Sequence, residues 1–445
     1  MSVGNVDAAI ERIRQRDPDA APLVEAVADG LIAGEGTDAV HQAAVQQYLW
    51  VDVPSAWPDD TWDGIVTGAA VLFDELGLHR YAAIARSPRT AEVLGAWRDS
   101  GRAGRKAFLA AQRASGVEPP DTGALVWGGV FGPDEGRART AVERALERAI
   151  DAGELVPGAR GWKVAAGAVT ARALGADLDH PPGQSLLSLV TTERAEAWVG
   201  DAQASVLRRW REAAVRRILG PIDPPADVAT VVAPVRWLLE RASVGVDLTP
   251  SGYIGRTLVV EAADRFGWRS GDKPPRSEAD LHQLVELRGA VTDLRLLRRT
   301  GRTLLATTRG AGLVGDDVAL WRELSGTLGG TTAFEQLVGE MVGHRLLDGP
   351  VIDDEIVGTI GPILTSLGWR TAEGPLTSAE VESATWDRWR WWRVLGLLER
   401  TSARWDRAAQ RQVGHTTTTL TPAGRATVLA FLRQVALRPR DHVVS

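Results

Sequence analysis

The stretch LRLLRRTGRTLLATT, residues 294–308, decides how the chain folds. Two short runs rich in leucine and threonine flank a turn at Thr300-Gly301, which predicts a β-hairpin. Upstream, PRSEADLHQLVELRGAVTDLRLL has helical spacing, and Ser277 followed three residues later by Asp280 approximates a capping box. Before it, VDLTPSGYIGRTLVVEAADRFGW predicts a second helix with Thr249 as cap and Pro250 in its first turn. VAPVRWLLERA predicts the first. Three helices followed by a two-stranded hairpin is the order of a winged helix, a helix-turn-helix variant.

The arrangement recurs about one hundred residues on. LGLLERT (395–401) repeats LRLLRRT (294–300) at five of seven positions, and LTPAG (420–424) parallels ATTRG (306–310). Three helical candidates precede the second copy: AFEQLVGEMVGHRLL, DEIVGTIGPILTSLGW and TSAEVESATWDRWRWWRVL. A spacing this long means a duplicated domain rather than a solenoid. ELV and GWKV, at 154–164 around a Pro-Gly turn, suggest a degenerate third hairpin. Up to about residue 115 the chain reads as helices with short breaks. Ser87 there is a cap, with Pro88 at the first helical position. GVEPPDTGALVWGGVFGPDEG and GPIDPPADV are Gly- and Pro-rich breaks. The expected fold is mainly α: an N-terminal helical domain over 1–120, a degenerate winged-helix unit over 121–205, and winged-helix units over 206–325 and 326–445, the last with a basic end.

The segments LTPSGYIGRTLV, RFGW, RSEADLHQLVELRGAV and LLRRTGRTLLATTRG, with QYLWVDVPSAW (47–57) and RYAAIARSPRTAEVLGAW (80–97), resemble uncharacterised actinobacterial proteins that have an N-terminal helical region and winged-helix-like repeats. The resemblance covers most of the chain. Its motifs are structural, so it implies a fold and carries over no catalytic residue.

Composition narrows function by exclusion. The 445 residues are 44% hydrophobic and 24% charged, as in globular proteins. No apolar run is long enough for a membrane span, and MSVGNVDAAIERIRQRDPDA has no secretory h-region. Cysteine is absent, which removes disulfides, thiolate nucleophiles and thiolate metal sites and makes the cytoplasm the default location. All basic residues but Lys106, Lys163 and Lys273 are arginine. This bias, with abundant Ala and Gly, reflects a high-GC genome. Seven arginines face two aspartates from Thr401 onward, so that segment is +5 while residues 1–400 carry −11 of the net −6. An acidic body with a basic end is not the footprint of a general nucleic-acid binder.

Catalytic and metal motifs are missing. No two of the seven histidines have HExxH or His-x₃₋₅-His spacing. GRAGRKAF (101–108) lacks phosphate-loop spacing, GEG (34–36) lacks the third glycine of a dinucleotide loop, and no Gly-x-Ser-x-Gly elbow occurs. The pairs Asp59–Asp60 and Asp353–Asp354 precede helices, where carboxylates cap free N–H groups; the alternative is a divalent ion. No catalytic, cofactor-binding or metal-ligating residue is assigned.

Candidate contact residues come from the helices that would read DNA. The third helix of the middle unit carries Glu278, Asp280, Glu286 and Asp293 against Arg288, and phosphates would repel it. Its basic residues, Arg298, Arg299 and Arg302, sit in the hairpin. In the last unit, WDRWRWWRVLGLLERT (386–401) divides on a helical wheel. Val381, Thr385, Trp392 and Leu395 form a core stripe with Trp389 at its edge. Arg390 and Val394 lie opposite, and Trp386 and Trp391 flank that outer face as contact candidates. Arg388 falls near the stripe, its stem packed and its head in solvent. Arg404, Arg407 and Arg411 complete the set. The expected function is a non-enzymatic winged-helix regulator or adaptor whose partner is protein or nucleic acid. The alternatives are a scaffold that binds protein alone and, third, an enzyme with a site assembled from remote residues.

Overall fold

The computed structural model describes residues 3–32, 40–178, 182–269, 271–401, 404–406, 411–413 and 415–440; for 3–5, 354, 404–406 and 411–413 it describes the backbone alone. The fold is mainly α, with short antiparallel strands in the second half. The chain divides into two compact units, 1–193 with 439–445, and 194–438.

The first unit holds two apolar cores. Helices α1 (Val3–Arg16), α2 (Ala21–Leu31), α3 (Gln42–Gln47), α4 (Val53–Ala56), α5 (Trp62–Glu75), α6 (His79–Ala85), α7 (Pro88–Asp99) and α8 (Gly101–Ser115) surround one of them. Ser87 caps α7 by accepting the Thr90 N–H at 3.2 Å, as its sequence predicts. A π-helical turn over Tyr48–Asp52 joins α3 to α4, and the Trp50 carbonyl there accepts the Trp97 indole N–H at 2.7 Å. QYLWVDVPSAW is thereby a packing motif. The other core lies among α9 (Pro133–Asp151), α10 (Trp162–Gly175) and the start of α11 (Leu186–Gly200). The expected hairpin at 154–164 does not form. Leu155 is buried in the core beside α9, while Val156 and Val164 are exposed. The segment turns through Gly158 and Gly161, both with positive φ, and the alanine-rich run from Trp162 takes up the helix it favours. The reading of 121–205 as a third copy loses its hairpin.

In the second unit, α12 (Ser205–Ile218) precedes two repeats of one design. The first is α13 (Val228–Val244), β1 (Val246–Asp247), α14 (Arg256–Arg265), α15 (His282–Asp293), β2 (Leu297–Thr300) and β3 (Thr303–Ala306), followed by α16 (Thr308–Leu313) and α17 (Asp317–Ser325). The second is α18 (Ala333–Leu347), β4 (Val351–Ile352), α19 (Ile356–Ser366), α20 (Ser378–Val394), β5 (Leu398–Thr401) and β8 (Thr417–Leu420), followed by α21 (Pro422–Ala436); β6 (Arg404–Asp406) and β7 (Arg411–Val413) pair within its longer hairpin. The sheets have matching orders, β1-β3-β2 and β4-β8-β5.

The repeats agree in detail. Arg295 and Gly396, at φ 56° and 67°, end the third helices, and the next N–H reaches back five residues, from Leu296 to Val291 and from Leu397 to Trp392. This is the left-handed helix stop that favours glycine; Arg295 is the one non-glycine with positive φ among the described residues. LRLLRRT and LGLLERT thus occupy equivalent helix-to-strand junctions. Thr307 and Thr421 cap the following helices, accepting from Gly310 and Gly424. A side chain on either glycine would strike a main-chain carbonyl, Leu296 O or Leu397 O. The Ser277–Asp280 capping box is present, on a 3₁₀ turn before α15.

Two expectations change here. Thr249 and Pro250 do not start a helix. The Thr249 hydroxyl accepts the Tyr253 N–H in a turn containing Gly252 at φ 82° and closed by an isolated antiparallel bridge of Leu248 with Ile254, and α14 begins at Arg256. The repeats also share one continuous apolar core rather than two, with Trp321 of α17 bonding Thr427 of α21.

Candidate functional site

The third helices of the two repeats pack against each other. Leu284, Leu287 and Val291 of α15 and Trp389, Trp391 and Trp392 of α20 belong to the same core. Trp391, expected at the surface, is 4% exposed. Periodicity places it off the Val381–Thr385–Leu395 stripe, but α15 packs against α20 and the ring lies in the shared core. Val394 is buried too. Arg390 stays on the outside, where its charge is spent inside the chain on Glu286 of α15 at 3.0 Å and on Asp387. Arg388 packs its stem inward; its Nη2 is 3.5 Å from Glu335, and its buried Nε has no hydrogen-bond partner. Between the helices a cavity of about 280 Å³ is lined by Glu286, Gly289, Asp293, Glu335, Arg388 and Trp391.

Trp386 is half-buried. Its ring lies 5.5 Å from that of Trp389, and it lines an open groove of about 860 Å³ between α19 and α20. Arg298, Arg299 and Arg302 are where the sequence puts them, on the β2–β3 hairpin. Arg298 and Arg299 are exposed, and none of the three pairs with a carboxylate among the described residues. Arg404 and Arg411 lie on β6 and β7, described as backbone only, and Arg407 lies outside the described residues, as does GEG 34–36. The caps expected at Asp59–Asp60 and at Asp353 are not made, and the Asp354 side chain lies outside what is described. Asp353 is buried and takes Arg400 at 2.8 Å and the Thr418 hydroxyl at 2.7 Å. Asp59 and Asp60 are exposed in the turn before α5, whose N-cap is Thr61.

Sequence reading missed two buried polar clusters, because each assembles from segments far apart in the chain. In the second unit, Arg211 of α12 grips Glu340 of α18 through two bonds of 2.6 and 3.1 Å and donates to the Trp198 carbonyl at 2.5 Å. His344 lies 3.6 Å from Glu340, between the rings of Trp198 and Trp210. Burial opposes ionisation of Glu340, but His344 and Arg211 outweigh it and hold the carboxyl below its ordinary value. In the first unit, Glu147 of α9 accepts the Gln42 N–H and the Tyr81 hydroxyl, both at 2.8 Å. Glu143 lies 3.1 Å from Arg139 and 3.8 Å from His41. Burial pushes Glu143 up to about 7 against the pull of Arg139. Burial, then Arg144, lowers His41. These groups join α3, α6 and α9 and form a structural brace. No group of three His, Asp or Glu among the described residues is placed to hold a metal ion.

The brace gives a pH dependence with a definite sign. Folded Glu143 keeps its proton to a higher pH than the unfolded chain does. The stability this lends is full below about pH 4.5 and is lost as pH rises through about 7, a change of up to about 3 kcal/mol at 1.36 kcal/mol per unit. Glu143→Gln abolishes that loss. Melting curves of wild type and variant should separate between about pH 5 and 8, the variant gaining relative stability toward the alkaline end. A difference that stays constant across this range would show that Glu143 does not titrate there.

In comparisons with known proteins, no family model, no curated protein and no solved structure matches the chain. No helix among the described residues is long and apolar enough to cross a membrane.

Proposed function

We propose that the chain is a non-enzymatic tandem winged-helix protein, a regulator or adaptor that works through macromolecular contacts without reading base sequence. The mutual packing of α15 and α20 carries this reading. In helix-turn-helix proteins the third helix of such a unit enters the major groove. Here each repeat's third helix lies against the other's, and Trp391, one of the two tryptophans expected to make outside contacts, is buried in the shared core. The acidic residues of α15 point the same way, since Glu286 serves Arg390 of the neighbouring repeat. The winged-helix description rests on the order α13-β1-α14-α15-β2-β3 and its repetition; as fold-level analogy it supports an architecture and no partner. Selection from a random duplex pool tests the reading. The expected result is no enriched motif and no protection of guanine N7, the major-groove acceptor. Recovery of a defined motif with N7 protection would overturn it. Nucleic-acid association without base reading is a second reading, favoured by the unpaired arginines of the β2–β3 hairpin.

A further inference from the structure

The two repeats are an internal comparison, and their hairpins differ in charge. Arg299 faces Leu304 in the middle repeat, and Arg400 faces Thr418 in the last. Leu304 and Thr418 in turn pair with Val246 and Val351, so Leu248 and Asp353, two residues further on, are equivalent positions. In the last repeat Asp353 neutralises Arg400 at 2.8 Å, and Glu399 stands where the middle repeat has Arg298. In the middle repeat Leu248 offers only its carbonyl, which Arg302 takes at 3.2 Å. Arg299 donates to the Gly301 carbonyl at 2.8 Å, and Arg298 to the Thr300 hydroxyl at 3.0 Å. Neutral acceptors thus hold all three guanidiniums in place and leave their charge intact. The strands β1 to β3 contain one carboxylate, Asp247.

We infer that the β2–β3 hairpin is a binding site for the phosphodiester backbone of duplex nucleic acid, contacted without regard to sequence. Successive strand residues point to opposite faces, so Arg298 and Arg299 project from the two sides of the ribbon and Arg302 from its turn. The hairpin belongs to a three-stranded sheet in which β1 covers β3, so β2 is the free edge, and its arginines with Arg302 at the turn meet backbone phosphates from that edge. Guanidinium is suited to phosphate because it donates two parallel bonds. Single strands are bound largely by aromatic stacking, and the hairpin carries no aromatic residue. The site rests on the proposed winged-helix reading and names the partner of one of its wings.

The test is fluorescence anisotropy of the full chain with a mixed-sequence duplex of about 20 base pairs, titrated over roughly 50 to 200 mM salt. Three phosphate contacts predict a slope of log affinity against log salt near −2.7, from about −0.9 per phosphate. The triple variant Arg298→Gln, Arg299→Gln, Arg302→Gln should bind at least about tenfold more weakly at the lowest salt with a slope near zero, and the corresponding triple Arg→Lys variant should keep the slope. Absence of wild-type binding at the lowest salt overturns the site and leaves the adaptor reading standing. So does a Gln variant that keeps affinity and slope. Equal affinity for phosphatidylserine vesicles overturns the assignment to duplex. Motif-selective binding with guanine N7 protection that the Gln variant loses keeps the site and overturns the adaptor reading.

Discussion

Trp389→Ala, Trp391→Ala and Trp392→Ala should each destabilise the second unit by about 3–5 kcal/mol, while Trp386→Ala costs far less. The first three rings are at most 4% exposed, and the Trp392 indole donates to the Leu328 carbonyl at 3.1 Å, so its removal also leaves that carbonyl unpaired. Trp386 is half-buried and its indole bonds only Glu382, one turn away. Losses of this size are a large part of the ~5–15 kcal/mol that holds a domain folded. The informative variant is Trp391→Ala. Its ring is buried by α15 of the other repeat, so the loss should appear in denaturant melts as a lower midpoint for the whole unit. A Trp391→Ala midpoint within error of wild type would mean that the two third helices separate in solution, and the argument against base reading would fall with them.

Removing one partner of the Arg211–Glu340 pair should be comparably severe. Both side chains are buried, and either alone would be an unpaired charge in an apolar surround. Breaking such a pair costs about 3–5 kcal/mol, whereas replacing both partners by apolar residues of similar volume is often neutral or stabilising. Glu340→Leu and Arg211→Met should each lower the urea midpoint sharply, and the double variant should recover most of it. A double variant as unstable as the sum of the singles would mean that the two groups act independently, Arg211 through the Trp198 carbonyl and Glu340 through His344.

The contrast between Trp392 and Trp391 shows where local reading stops. Both sit on one helix, and a 3.6-residue period puts Trp392 within the stripe of Val381, Thr385 and Leu395 and Trp391 outside it, yet both are buried. Exposure does not follow, because the wheel records only which residues share a face and not what lies opposite. Thr249 and Pro250 fail for a related reason. The Thr249 hydroxyl does accept a backbone N–H, but from Tyr253 within the turn that the Leu248–Ile254 bridge closes. The clusters around Glu340 and Glu143 left no periodic trace, since each draws one or two residues from several distant helices.

The sequence by itself determined the repeat: the third-helix ends at Arg295 and Gly396, the hairpins after them, the capping box at Ser277 and the cap at Ser87. All of these are set by interactions within a few residues, where backbone geometry and hydrogen-bonding side chains act directly. The strand register, by contrast, is what aligned Leu248 with Asp353 and showed which hairpin leaves its arginines without a carboxylate. Only the tertiary structure decided that the two repeats share a core, that α15 buries Trp391, and that Glu286 answers Arg390 across 104 residues. Those outcomes depend on which apolar faces meet. Hydrophobic burial is non-directional, so a one-dimensional pattern can name a face that must be covered and cannot name its cover.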